Sequence, residues 1–180
     1  MISALLFRWH TSDKGGLVFF AALASFAAVL GGIAGFAYFD QIERLAAAQR
    51  RADLQCLAEN VYFEARGEPL AGQYAVAEVT MNRVASPLFP DTVCDVVHAM
   101  AWDPVRKRNV GAFSWTEFDS RPRPAGAEWR RAMAVAGTVY ENREAPLVEG
   151  ALYYHATRIT PAWARTKTQV ARIGRHLFYE

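Results

Sequence analysis

Hydrophobic residues run along this 180-residue chain in three rhythms, and each predicts a different structure. From Gly15 to Phe39, GGLVFFAALASFAAVLGGIAGFAYF, there are 25 residues with neither a charge nor a histidine. At about 1.5 Å per residue such a helix reaches about 37 Å, enough to cross a hydrocarbon layer of about 30 Å with some tilt. Its glycines and alanines suit a membrane helix, and Tyr38 suits the interface at its end. The next segment, DQIERLAAAQRRAD (40–53), is polar and rich in helix formers, so it extends the span as a helical connector. From Leu54 the spacing changes to three and four residues. Leu54, Leu57, Ala58, Val61, Tyr62 and Ala65 form one face of an amphipathic helix, which Gly67 ends and Pro69 keeps from continuing.

A second helix is predicted in LAGQYAVAEVTMNRVA (70–85), broken by Ser86-Pro87. A third, short helix is expected from Asp91 to Ala101, with Asp91 as its N-cap. Residues 102–127 carry Pro104, Pro122 and Pro124 and read as a long loop or lobe. Trp102, Phe113, Trp115 and Phe118 argue that it is ordered. A helix over 128–141 follows, and the third rhythm closes the chain. GALYYHA (150–156) and TQVARIGRHLFYE (168–180) are rich in branched and aromatic residues, with Gly174 as a turn or bulge between strands. The class is α+β and mainly helical. The organisation expected is a cytoplasmic tail (1–14), a transmembrane anchor (15–39), a helical connector (40–53) and one folded domain (54–180).

Charge changes little in this picture. The net charge is +2, and the basic clusters Arg50-Arg51, Arg106-Lys107-Arg108 and Arg130-Arg131 lie close to acidic residues, which argues against nucleic-acid binding. Ala46-Ala47-Ala48 offers a signal-peptide cleavage site, but the apolar run far exceeds the roughly 7–15 residues of a signal h-region, which favours a retained anchor. Arg8 and Lys14 before the span nearly balance Arg44, Arg50 and Arg51 after it, leaving orientation open. Cys56 and Cys94 both follow the span. They are inert core thiols if the domain is intracellular, and a disulfide closing a loop worth roughly 4 kcal/mol if it is not. Neither sits beside a histidine in sequence, which disfavours a thiol nucleophile.

The candidate chemistry lies in CLAENVYFEARGE (56–68). On a continuous helix Glu64 and Glu68 are one turn apart on one face, while Glu59 points elsewhere. Two close carboxylates favour protonating one, Tyr62 and Phe63 can desolvate it further, and Arg66 opposes this if it approaches. An acid that donates near neutral pH needs such an environment. The alternative is that both glutamates are ordinary surface charges at a helix end. Glycosidases with two carboxylates place them on opposite sides of the sugar, so Glu68 is a poor nucleophile if Glu64 is the acid. No metal or cofactor is expected: the glutamates lack the paired helical histidines of a zinc protease, and His98, His155 and His176 are scattered.

Five blocks occur in order: AENVYFEARGEPLAGQYAVAEVTMNRV (58–84), FPDTVCDVV (89–97), FSW (113–115), ALYYHA (151–156) and IGRHLFY (173–179). Together they resemble the SleB/CwlJ-type cell wall hydrolases, the spore-cortex-lytic enzyme family, over about 54–180. The resemblance implies a lysozyme-like, lytic-transglycosylase-like domain that degrades peptidoglycan with one key glutamate, which matches Glu64. In that chemistry a single residue serves as acid and then base, which agrees with the geometric objection to Glu68 as nucleophile. Glu68 is expected beside the substrate. Phe113, Trp115, Tyr153 and Tyr154 either stack on sugars or pack the core, and Ser114 and His155 are candidate contacts to N-acetyl groups. Ala112 departs from the pattern, standing where a polar residue is expected. No cell-wall-binding repeat accompanies the domain, so the anchor is expected to localise it. The expected partners are peptidoglycan glycan strands and the inner membrane, with the domain in the periplasm, which favours the Cys56–Cys94 disulfide. A hydrolytic muramidase and a non-catalytic glycan-binding module are the alternatives. The oligomeric state is left open, although Gly31, Gly32 and Gly35 permit close helix contact.

Overall fold

The computed structural model describes residues 13–104, 106–118, 120–141 and 145–180, and its two compact units divide between Ala48 and Gln49. Of the expected tail, residues 1–12, with Arg8, and the side chain of Lys14 lie outside the described residues, while 13–14 already belong to the first helix. Helix α1 spans Asp13–Ala65. In the first unit its apolar side chains, among them Leu17, Phe20, Phe26, Ile33 and Phe36, are exposed. The helix is long and apolar enough to cross a membrane, with a window of mean hydropathy 2.3.

The second compact unit begins at Gln49, where the end of the connector is already tied down. Asp53 is buried and accepts hydrogen bonds from Gln49 Nε2 at 3.2 Å and from the Tyr140 hydroxyl at 3.3 Å. Arg50 pairs with Glu141. Leu57, Ala58 and Val61 on α1 pack with residues of α2 (Leu70–Ala85), α3 (Val93–His98) and α4 (Gly126–Glu141), including Ala77, Met81, Val97, Val135 and Val139. Each large aliphatic side chain fully buried there contributes about 1.5–3 kcal/mol. Cys56 on α1 and Cys94 on α3 form a disulfide.

Helix α3 is shorter than expected. Thr92, not Asp91, is its N-cap: its extended backbone (φ −116°, ψ 151°) lets the hydroxyl accept the Asp95 N–H at 3.2 Å. The chain leaves the helix at Ala99 and enters an antiparallel hairpin, β1 (Met100–Asp103) and β2 (Arg108–Gly111). The expected loop over 102–127 therefore contains a hairpin and a 3-10 turn, Ser114–Glu117. Both hairpin strands are largely exposed, so no hydrophobic alternation marks them.

The C-terminal segments form the expected strands: β3 (Tyr153–Ala156), β4 (Gln169–Ile173) and β5 (His176–Tyr179), in antiparallel order β3-β5-β4. Gly174 makes the β4–β5 turn at φ +58°. Phe178 on β5 packs with Ala65, Val76, Val79 and Val148 in a second core cluster. The last turn of α1 thus lies between a helical layer and a small sheet.

Candidate active site

Glu64 occupies that last turn. The apolar residues of α1 fix its helical phase, and its half-buried side chain lines a cavity of about 700 Å³, within the usual range for ligand sites. Burial raises the Glu64 pKa above the ordinary carboxylate range. A hydrogen bond from the Tyr154 hydroxyl to Oε2, 3.3 Å, and the positive charge of Arg83 pull the other way without cancelling it. Tyr154 is itself pushed well above the usual phenol value, first by burial and then by Glu64, so its O–H remains a donor. Arg83 is held between sheet and helix. Its Nε donates to the Leu152 carbonyl at 2.8 Å, and its guanidinium lies 5.2 Å from the ring centres of both Phe89 and Phe113.

Glu68 is not the helical neighbour that its spacing suggested. Helix α1 ends at Ala65, and Glu68 lies in the bend that follows. Its side chain is 4% exposed and is claimed by the β4–β5 turn: Oε2 accepts the Arg175 backbone N–H at 2.8 Å, and Oε1 accepts from Arg175 Nε at 2.7 Å and lies 2.7 Å from Nη2 in an ion pair. Burial favours the neutral form of Glu68, but Arg175 and the nearby His176 outweigh it and lower the pKa. Like-charge repulsion is therefore not what raises Glu64. Arg66 turns away, over the ring of Tyr62 at 4.9 Å. Glu59 accepts from Gln55 and is not among the cavity residues.

Trp115 lines the cavity as a fixed wall. Its ring stacks on Phe63 at 4.7 Å, and its Nε1–H donates to Asn60 Oδ1 at 3.0 Å. Asn60, one turn before Glu64, in turn donates to the Thr80 hydroxyl at 3.0 Å. Phe113 is buried in the core under Arg83, with an edge on a recess of about 130 Å³ shared by Glu64, Arg83 and Ser114. Ser114 is exposed at both openings, and Ala112 lines them beside it.

Strand alternation separates the two tyrosines of β3. Tyr154 faces Glu64, His176 and Phe178. Tyr153 faces Phe89 and Trp163, carries Lys167 over its ring at 3.7 Å, and is not among the cavity residues. His155 borders the cavity, and its ring nitrogens meet Tyr179 Oη and the Ala156 carbonyl, each at 3.0 Å. Sequence reasoning missed Arg83, Asn60 and Trp163, and weighed His176 only as a metal ligand. The available signal was a charge and an amide on helix faces otherwise filled with Ala and Val.

The family described as Cell Wall Hydrolase matches residues 67–179, a stretch that begins just beyond Glu64. The spore cortex-lytic enzyme of Oceanobacillus iheyensis is 36% identical over 128 residues, covering 70% of this chain and 41% of that protein. That of Bacillus subtilis is 34% identical, covering 71% and 37%. The chain thus spans about two-fifths of the length of the curated relatives it matches. Among solved structures, the catalytic domain of the Bacillus cereus SleB protein aligns with a TM-score of 0.52 at 31% identity, over 72% of this chain and 91% of that one. The catalytic domain of the germination-specific lytic transglycosylase SleB from Bacillus anthracis gives 0.50 at 30%, over 71% and 93%. With most of its second unit matched in sequence and in fold, this chain belongs to the cell wall hydrolase family.

Proposed function

We propose that this chain cleaves the bond between N-acetylmuramic acid and N-acetylglucosamine in peptidoglycan, as a lytic transglycosylase with Glu64 as its acid and base. One observation carries this reading: Glu64 is a carboxyl whose pKa is raised by burial, in a cavity whose other lining carboxylate among the described residues, Glu68, is already engaged by Arg175. A single residue then handles both proton transfers. Glu64 donates its proton to the glycosidic oxygen as the C1–O bond breaks. The resulting carboxylate takes the proton of the muramyl C6 hydroxyl as that oxygen bonds to C1, leaving a 1,6-anhydro end and restoring the acid. The relatives named lytic transglycosylase and spore cortex-lytic enzyme support this chemistry by analogy.

The test is mass spectrometry of the muropeptides that the full-length protein releases from purified sacculi. Anhydro ends are expected; reducing ends alone would assign a hydrolytic muramidase instead. In this reading the 15–39 segment is a retained single-pass anchor in the inner membrane with the domain in the periplasm. Its exposed apolar surface and the Cys56–Cys94 disulfide, a bond that persists in oxidising compartments, support that placement. Protease added to spheroplasts should then degrade the domain, and resistance there would place it in the cytoplasm.

A further inference from the structure

The cavity carries charge that a neutral sugar backbone does not require. Among the described residues its wall includes Arg106, Arg158 and Arg175 beside Glu64 and Glu68. Glu68 and Arg175 answer one another. Burial keeps Glu64 towards its neutral form. Arg106 and Arg158 remain. Arg106, at the hairpin tip, reaches Asp103 Oδ2 only at 3.7 Å, feels Glu117 at longer range while that carboxylate pairs with Arg108, and is 61% exposed. Arg158, in the segment after β3, makes no ion pair among the described residues. One exposed arginine alone is a solvated surface charge. Two on the same cavity, delivered by separate elements and weakly countered, are a different matter.

Peptidoglycan strands carry their negative charge on the lactyl arm of the muramyl sugar, as stem-peptide carboxylates or as the bare lactyl acid. A guanidinium keeps its charge throughout the physiological range and presents a planar fork of donors that fits a carboxylate. We propose that Arg106 and Arg158 form a carboxylate-recognition site on the cavity of Glu64, binding the anionic group of the muramyl lactyl arm. This rests on the reading of the cavity as a glycan cleft. It makes the chain selective for anionic strands over neutral ones.

Binding separates this claim from cleavage. Full-length Glu64→Gln protein in detergent is sedimented with purified sacculi, and with the same sacculi after carbodiimide and ammonia have converted their carboxylates to amides. Native sacculi should bind about tenfold more tightly than amidated ones, the scale of one charge-assisted hydrogen bond. Adding Arg106→Gln and Arg158→Gln should collapse that ratio towards one, while Arg106→Lys with Arg158→Lys retains part of it. Equal binding to both sacculi overturns the proposal, and so does a preference that survives the double glutamine variant. Thermal melting of each variant excludes loss through misfolding. Sacculi stripped by an amidase keep only the lactyl acid. An arginine-dependent preference that survives stripping assigns that group, and one lost on stripping assigns the stem peptide. If wild-type protein releases no muropeptides while the preference holds, the cleavage reading falls and this site stands.

Discussion

Truncating Arg175 to alanine strands a buried carboxylate, and the structure sets the size of the penalty. Glu68 is 4% exposed at its side chain and is held by the Arg175 side chain through an Nε–H hydrogen bond and an Nη2 ion-pair contact, at 2.7 Å each, besides the backbone N–H that alanine retains. Removing one partner of a fully buried pair costs about 3–5 kcal/mol. The Arg175 side chain is 71% exposed, so solvent screens its charge and water replaces part of what is lost. About 2–3 kcal/mol remains, which lowers the melting temperature by about 8–12 °C for a unit of this size.

The pH dependence has a definite sign. Because the native pKa of Glu68 lies below its ordinary value, the unfolded chain binds more protons than the native one between the two. The stabilisation is complete above the ordinary carboxylate range and disappears as pH falls through the lowered native value. Heat denaturation of full-length protein, followed by tryptophan fluorescence at neutral and strongly acidic pH, should show a gap between wild type and Arg175→Ala that narrows with acid. A variant melting within 1–2 °C of wild type (a bound of about 0.5 kcal/mol) would refute the reasoning, as would a gap independent of pH. Gly174→Ala probes the same turn from the backbone. Its φ is +58°, and a Cβ there would run into Glu68 Oε2 and come within 3.1 Å of Pro69 Cδ, so a loss of at least about 1 kcal/mol is expected.

Glu64→Gln should melt above wild type at neutral pH. The native carboxyl has a raised pKa, so ionisation costs stability as pH rises out of the ordinary carboxylate range, and the gain from glutamine should vanish in acid. Tyr154→Phe removes the donor that holds Glu64 down, so the falling limb of kcat/KM against pH should move to higher pH, with a loss of about tenfold in rate, the scale of one positioned hydrogen bond. An unshifted limb would deny Tyr154 that role. Replacing Cys56 and Cys94 by alanine opens a cross-link of sequence separation 38 and should cost up to about 4 kcal/mol by denaturant unfolding.

The sequence exposed the helical frame well because its cores are periodic: Leu57, Ala58 and Val61 recur at helical spacing and are fully buried. Glu64 was legible for the same reason, together with the resemblance carried by the surrounding block. The cause of its raised pKa was legible only in part: desolvation was expected and operates, while the expected repulsion from Glu68 does not. Helical spacing pairs Glu64 with Glu68, but the chain leaves the helix at Ala65, and a residue 107 positions away takes Glu68 instead. No local pattern encodes such a contact. The choice of Thr92 over Asp91 as cap turned on one residue of register. The hairpin of β1 and β2 escaped notice because its exposed faces carry no alternation. Tyr153 and Tyr154 are identical in composition, and only strand register decides which one meets Glu64.

The most direct measurement is the time course of soluble muropeptide release from sacculi by full-length wild-type and Glu64→Gln protein at equal folded concentration. Wild type should release anhydro-ended fragments while the glutamine variant, folded and still bound to sacculi, releases them at least about a hundredfold more slowly, the proton-transfer share of such a reaction being about 10²–10⁴. Comparable release by the two proteins, or none by wild type, would contradict the account.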